Sequence, residues 1–142
     1  MQPNSPSLSD EEFAEIFGQI KTIAVVGASD DEAKPSHKIP LYLQRQGYRI
    51  IPVNPSDEEV LGEKAYKSLE EIPEPVDAVD VFRPSNEAAG IARSAALIGA
   101  KVLWLQSGIS SQEAADIASD AGMQIVMDEC MGATHKRLGL GR

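Results

Sequence analysis

Apolar residues fall along this chain in two patterns: short runs without interruption, and longer stretches in which they recur every three or four positions. Thr22-Ile23-Ala24-Val25-Val26 is the first of the runs. It shows no alternation of apolar with polar, as expected of a strand covered on both faces in a parallel sheet. Further runs predict strands at Tyr48 to Val53, Val76 to Phe82, Lys101 to Leu105 and Gln124 to Met127. Phe13, Ile16, Phe17 and Ile20 keep helical spacing behind Ser9-Asp10-Glu11-Glu12, a capping box in which hydroxyl and carboxylate satisfy amide donors at the helix start. Ser36 would cap a helix carrying Ile39, Leu41, Tyr42 and Leu43 to a stop at Gly47, with Pro40 tolerated only in its first turn. Ser85 to Ile98 reads as an Ala-rich helix, and Ser110 to Ala121 as another, opening on the capping box Ser110-Ser111-Gln112-Glu113.

Strands that alternate with helices imply right-handed βαβ units. The expected fold is therefore α/β: a Rossmann-like, doubly wound parallel β-sheet of about five strands, in the order 3-2-1-4-5, with helices on both faces. Residues 55–75 break the rhythm with Asp57-Glu58-Glu59, Gly62, Tyr66 and Pro73-Glu74-Pro75, and read as loop with one short helix near Ser68 to Ile72, capped by Ser68. Residues 1–8, rich in Pro and Ser, are expected to be mobile. No internal repeat appears, so residues 1–142 read as a single domain.

Charge narrows the partners. Thirteen basic against 22 acidic residues leave a net charge of −9, which repels a nucleic-acid backbone. No apolar run approaches the roughly 20 residues that span a bilayer, so no membrane partner is expected. The N-terminus lacks the basic region of a signal peptide, and the single cysteine, Cys130, cannot form an internal disulfide. The expected compartment is the cytoplasm.

In an open parallel sheet, ligands bind outside the carboxyl ends of the strands, where the strand order reverses. Gly27-Ala28-Ser29, Asn54-Pro55, Arg83-Pro84-Ser85 and Gln106-Ser107-Gly108 occupy those positions. Lys34-Pro35-Ser36-His37-Lys38 follows at a helix start, where the helix dipole already draws anions. A dinucleotide fingerprint would need Gly-x-Gly-x-x-Gly and an acid ending the second strand. Gly27 stands alone and Val53-Asn54-Pro55 replaces the acid, which disfavours NAD; the P-loop pattern is absent too.

Candidates for catalysis are few. His37 and His135 are the only histidines, and Cys130 paired with His135 is weighed against Cys130 as a packed core thiol, the reading preferred here. One Cys and two His do not supply the ligands of a metal site. Asp77 and Asp80 read as solvated caps of a strand and Trp104 as core packing. No catalytic residue is assigned.

Taken in order, Val25-Val26-Gly27-Ala28-Ser29, Pro35-Ser36-His37-Lys38, Gly47-Tyr48, Val53-Asn54-Pro55, Val81-Phe82-Arg83-Pro84-Ser85, Leu103-Trp104-Leu105-Gln106-Ser107-Gly108-Ile109 and Met127-Asp128-Glu129-Cys130-Met131 resemble the blocks of the coenzyme A-binding domain family. The resemblance runs from about Ile20 to Arg137. The same domain forms the N-terminal part of the succinyl-CoA synthetase α subunit. It implies coenzyme A, or an acyl-CoA, lying across the strand ends. Gly27, Ala28, Ser29, Lys34, Pro35, Ser36, His37 and Lys38 would take the phosphates and part of the adenosine. Asn54 and Pro55 would line the ribose side, Phe82, Arg83 and Pro84 the adenine side, and Gln106, Ser107 and Gly108 the far wall. Lys34, Lys38 and Arg83 are the cations expected nearest the phosphates. The first loop is richer in acids and poorer in glycine than the synthetase's, and the resemblance stops short of the domain that carries the phosphorylated histidine. The expectation is thus a stand-alone module that binds CoA without turnover. Its rivals are the nucleotide-binding half of an acyl-CoA ligase or transferase assembly, and an NAD(H)-type nucleotide sensor.

Overall fold

A computed structural model describes residues 8–140. The expected mobility of residues 1–8 falls outside that range except at Leu8, which packs against the core. Helix α1 (Asp10–Gln19) opens on the expected capping box: Ser9 Oγ accepts from the Glu12 amide at 3.1 Å, and Glu12 Oε1 from the Ser9 amide at 2.8 Å. Strand β1 (Thr22–Val26) leads through a loop to α2 (Pro35–Arg45), then to β2 (Arg49–Val53). Two short strands, β3 (Glu59–Val60) and β4 (Glu63–Lys64), form an antiparallel hairpin in the stretch read as loop. β5 (Ala78–Val81), α3 (Ala88–Leu97), β6 (Val102–Leu105), α4 (Gln112–Asp120), β7 (Gln124–Val126) and α5 (Met131–Arg137) complete the chain.

The main sheet has five strands, all parallel, in the order β2-β1-β5-β6-β7. Counted along the chain this is 2-1-3-4-5, not the expected 3-2-1-4-5. The reason lies in Pro52. A proline has no amide to donate and is confined within sheets to edge strands. Val53 O turns inward and accepts from the Gly27 amide at 2.9 Å, whereas Pro52 O turns outward and accepts from the Tyr66 amide at 3.0 Å. The nitrogen of Pro52 points the same way as its carbonyl, so no bond to β1 is lost. With β2 at the edge, the third strand must pair with the other side of β1, and the order reverses there.

The central strands β1, β5 and β6 bury both faces, and β2 does so beyond Arg49. Ile23, Val25, Ile50, Ala78, Val102 and Trp104 pack against α1, α2 and α5; Ala24, Ile51, Val79, Val81, Leu103 and Leu105 pack against α3 and α4. Trp104 is fully buried, as expected, and its Nε1 donates to Glu129 O at 2.8 Å.

Four local expectations need correction. Pro40 sits inside α2 rather than in its first turn, and Lys34, not Ser36, is the N-cap. The cap of α4 is Ser111, whose hydroxyl accepts from the Ala114 amide at 3.1 Å, while Glu113 turns away to pair with Arg93. The turn after Ser68 is a single 3-10 turn, Leu69–Glu71, without a side-chain cap. Helix α5 had no sequence signal, because Gly132, Thr134 and His135 are weak helix formers in a segment of seven residues.

Candidate functional site

The loop between β1 and α2 is held open by backbone geometry. Gly27 adopts φ +92°, and a Cβ there would lie 3.1 Å from Arg83 Cδ and 3.3 Å from Phe82 O. In a regular helix the amide of residue 40 would bond the carbonyl of Ser36. Pro40 has no amide, and the Ser36 carbonyl instead accepts from the Ser29 amide at 3.1 Å. The proline inside the helix thus ties the loop to the first turn of α2. Two side chains hold the loop from the other side. Asn54 Nδ2 donates to Ala28 O at 2.8 Å, and His37 Nδ1, 2.8 Å from Ser29 O, must carry the proton because a carbonyl can only accept. His37 is buried, so its place is beneath the loop.

A cleft of about 640 Å³ opens at the carboxyl ends of β1, β2 and β5. It brings together Gly27, Ala28, Ser29, Lys34, Ser36, Asn54, Pro55, Phe82 and Arg83 from the sequence-expected set. Lys34, Ser36 and Phe82 also line a second, mainly apolar cavity of about 520 Å³, which Pro35, Gln106 and Ser107 share with Ile39, Ile109 and Cys130. Lys38, Pro84 and Gly108 line neither space. Lys38 is exposed one helical turn past Lys34, Pro84 precedes a 3-10 turn, and the Gly108 amide is tied to Asp128 Oδ1 at 2.6 Å. Lys67 lines the cleft without having been anticipated.

The cations of the cleft differ in their commitments. Arg83 is engaged twice by Glu87, through Nε at 3.1 Å and Nη2 at 2.8 Å, which raises its pKa further. Lys34 and Lys67 make no ion pair among the described residues.

Beneath the far wall lies a buried carboxyl. Asp80 is fully buried in β5, not a solvated cap. Gln106 Nε2 donates to its Oδ1, Gln106 Oε1 accepts from the Met131 amide at 3.3 Å, and Asp80 Oδ2 has no partner among the described residues. Burial pushes its pKa up to about 7, against the single favourable bond from Gln106. Asp77, at the opposite end of the sheet, accepts from the amides of Lys21 and Thr22 at 2.9 and 3.0 Å. Partial burial opposes its ionisation, yet those bonds hold its pKa below the usual value.

The weighed Cys130–His135 pair is not formed as a hydrogen bond. Cys130 caps α5, its Sγ accepting from the Ala133 amide at 3.4 Å. His135 is buried edge-on to Phe17, Tyr42 and Tyr48, with Nδ1 2.8 Å from Tyr42 Oη. Desolvation lowers its pKa. Among the described residues no cluster of three or more His, Cys, Asp or Glu is placed to hold a metal, and no helix is long and apolar enough to cross a membrane.

The fold has counterparts in known proteins. A family model described as a CoA binding domain matches residues 21–136. The protein YneT of Bacillus subtilis is 42% identical over 127 residues, covering 89% of this chain and 94% of YneT. The α subunit of an ADP-forming acetate–CoA ligase II from Pyrococcus furiosus is 33% identical over 135 residues, 86% of this chain but 30% of the ligase subunit. Among solved structures, a Thermus thermophilus protein superposes with a TM-score of 0.88 at 41% identity, covering 92% of this chain and 99% of that one.

Proposed function

This chain belongs to the CoA-binding domain family, and on that premise we propose that it binds coenzyme A or an acyl-CoA non-covalently at the strand ends, without turnover of its own. The observation that carries the reading is the junction of two unlike spaces at Lys34. On one side lies the polar cleft with its open Gly27–Ser29 loop, and on the other the mainly apolar cavity beside Ile39, Phe82 and Ile109. A CoA molecule has the same division, a nucleotide with phosphates joined to a long, less polar pantetheine arm. The first turn of α2 faces the junction, and its dipole and Lys34 both favour an anion there. Lys34, Ser36 and the Gly27–Ser29 loop would then take the pyrophosphate, with Asn54 and Pro55 on the ribose side. A free thiol at Cys130 fits a reducing compartment, and the reading places the protein in the cytoplasm.

The ligase relative favours a second reading, in which this chain is the nucleotide-binding part of an assembly whose other part supplies the catalytic group. Thermal-shift measurements with CoA, acetyl-CoA, NAD, NADP and ATP test the first reading, because a ligand that binds only the folded state raises its apparent stability. Shifts with the CoA compounds alone support it; a larger shift with NAD overturns it. Acetyl-CoA incubated with the protein, ADP and phosphate should keep its thioester. Release of free CoA thiol by the protein alone would overturn the absence of turnover, and release only once a second polypeptide is added would favour the second reading.

A further inference from the structure

We infer that Lys67 is the residue by which this protein distinguishes CoA from dephospho-CoA, through an ion pair with the ribose 3′-phosphate; the inference rests on the CoA reading above. Lys67 reaches the cleft by a route no motif marks. Tyr66 forms an isolated parallel bridge to Val53, its amide donating to Pro52 O at 3.0 Å and its carbonyl accepting from the Asn54 amide at 2.9 Å. That pairing delivers the next residue, Lys67, to the carboxyl end of β2 beside Asn54, on the proposed ribose side.

The acids around Lys67 form no ion pair with it. Lys67 also lines a cavity of about 610 Å³ adjoining the cleft, between the Leu69–Glu71 turn and α3. None of that cavity's three acids pairs with Lys67, nor do Asp57, Glu58, Glu59 and Glu71, which line a further cavity that Lys67 shares. Glu70 accepts from Ser94 Oγ at 2.8 Å, Glu87 holds Arg83, and Glu113 holds Arg93 at 2.9 Å. Lys67 itself makes no ion pair among the described residues.

Two such lysines on different walls suit a ligand with two separated anionic groups. Lys34 stands where the cleft meets the apolar cavity, and Lys67 on the wall away from it. In CoA the pyrophosphate joins the pantetheine arm, while the 3′-phosphate lies beyond it on the ribose. The pyrophosphate therefore belongs with Lys34 and the 3′-phosphate with Lys67. Lys38, the other lysine of the first loop and helix, does not line the cleft. A lysine suits this task as a point charge on a flexible stem at an exposed position.

Calorimetric titration of CoA and dephospho-CoA into the wild-type protein, Lys67→Gln, Lys67→Arg and Lys34→Gln decides the matter. Lys67→Gln should weaken CoA about tenfold and leave dephospho-CoA within about twofold. Lys67→Arg should keep the preference for CoA, and Lys34→Gln should weaken both ligands alike. If Lys67→Gln weakens both ligands equally, or neither, the assignment is overturned while the CoA reading stands. A wild-type protein that binds neither ligand overturns both.

Discussion

Gly27 meets two demands that no other residue satisfies together: a left-handed backbone at φ +92° and contact distance from Phe82 O and the Arg83 side chain. A β-branched side chain there costs about 1–2 kcal/mol in backbone strain alone and displaces Arg83 at the edge of the cleft. Gly27→Val should therefore fold with reduced stability and lose CoA binding, as read by thermal melts and calorimetry. A folded Gly27→Val protein of unchanged CoA affinity would remove the loop from the phosphate site. Asp80 makes a prediction of a different kind. Its carboxyl ionises at about 3.8 when unfolded and at about 7 in the fold, so between those values the folded state binds more protons. Its contribution to stability is present at low pH and is lost as pH rises toward and through 7. Melting temperatures of wild type and Asp80→Asn from pH 5 to 8 should show wild type losing ground to the variant as pH rises; parallel profiles would contradict the buried, protonated state. His135 works in the opposite sense, its contribution being lost as pH falls below its usual 6.5, but it is common to both proteins and cancels. Asp80 was legible in part: it interrupts a run that is apolar on both faces, Val79-Asp80-Val81, and a residue there is buried whichever way it points. What the run does not reveal is the partner, since Gln106 lies on another strand's end.

Among the elements, α2 shows how a helix irregularity serves the loop before it. Pro40 leaves the Ser36 carbonyl to the Ser29 amide. Pro40→Ala would restore a competing amide inside the helix, so hydrogen exchange at Ser29 should quicken while the helix itself gains protection. Unchanged exchange at Ser29 would show that the loop does not depend on the proline. At α5 the cap is a thiol, a weaker acceptor than a hydroxyl. Cys130→Ser should leave CoA affinity unchanged and keep or slightly raise the melting temperature; loss of binding in a folded Cys130→Ser protein would give the thiol a direct part at the site. Strands and long helices were readable because buried parallel strands need unbroken apolar runs and amphipathic helices need their spacing. The cap of α4 was misplaced by one residue because Ser110 and Ser111 are equivalent in composition, and only backbone geometry selects between them. The β3–β4 hairpin and the Tyr66 bridge are too short to carry a period, which is why Lys67 was missed.

For the molecule as a whole, strand order was the least legible feature, because apolar runs state that a strand is buried but not beside which neighbour. Pro52 was the one residue that marked β2 as an edge. The consequence is functional, since placing β2 at the edge moves the reversal point to β1 and β5 and opens the cleft between Gly27, Asn54 and Phe82. With a net charge of −9 the protein repels a polyanion at long range, so holding one depends on cations that face the site, as Lys34 and Lys67 do. The most direct test of a CoA site at these strand ends is to titrate CoA into isotope-labelled protein and map the backbone amide shifts by NMR. Binding as described predicts saturable shifts at Gly27 to Ser29, Ser36, Asn54, Lys67, Phe82 and Ser107. Shifts confined to the opposite end of the sheet, around Phe17, Tyr48 and His135, or no shifts at saturating CoA, would contradict it.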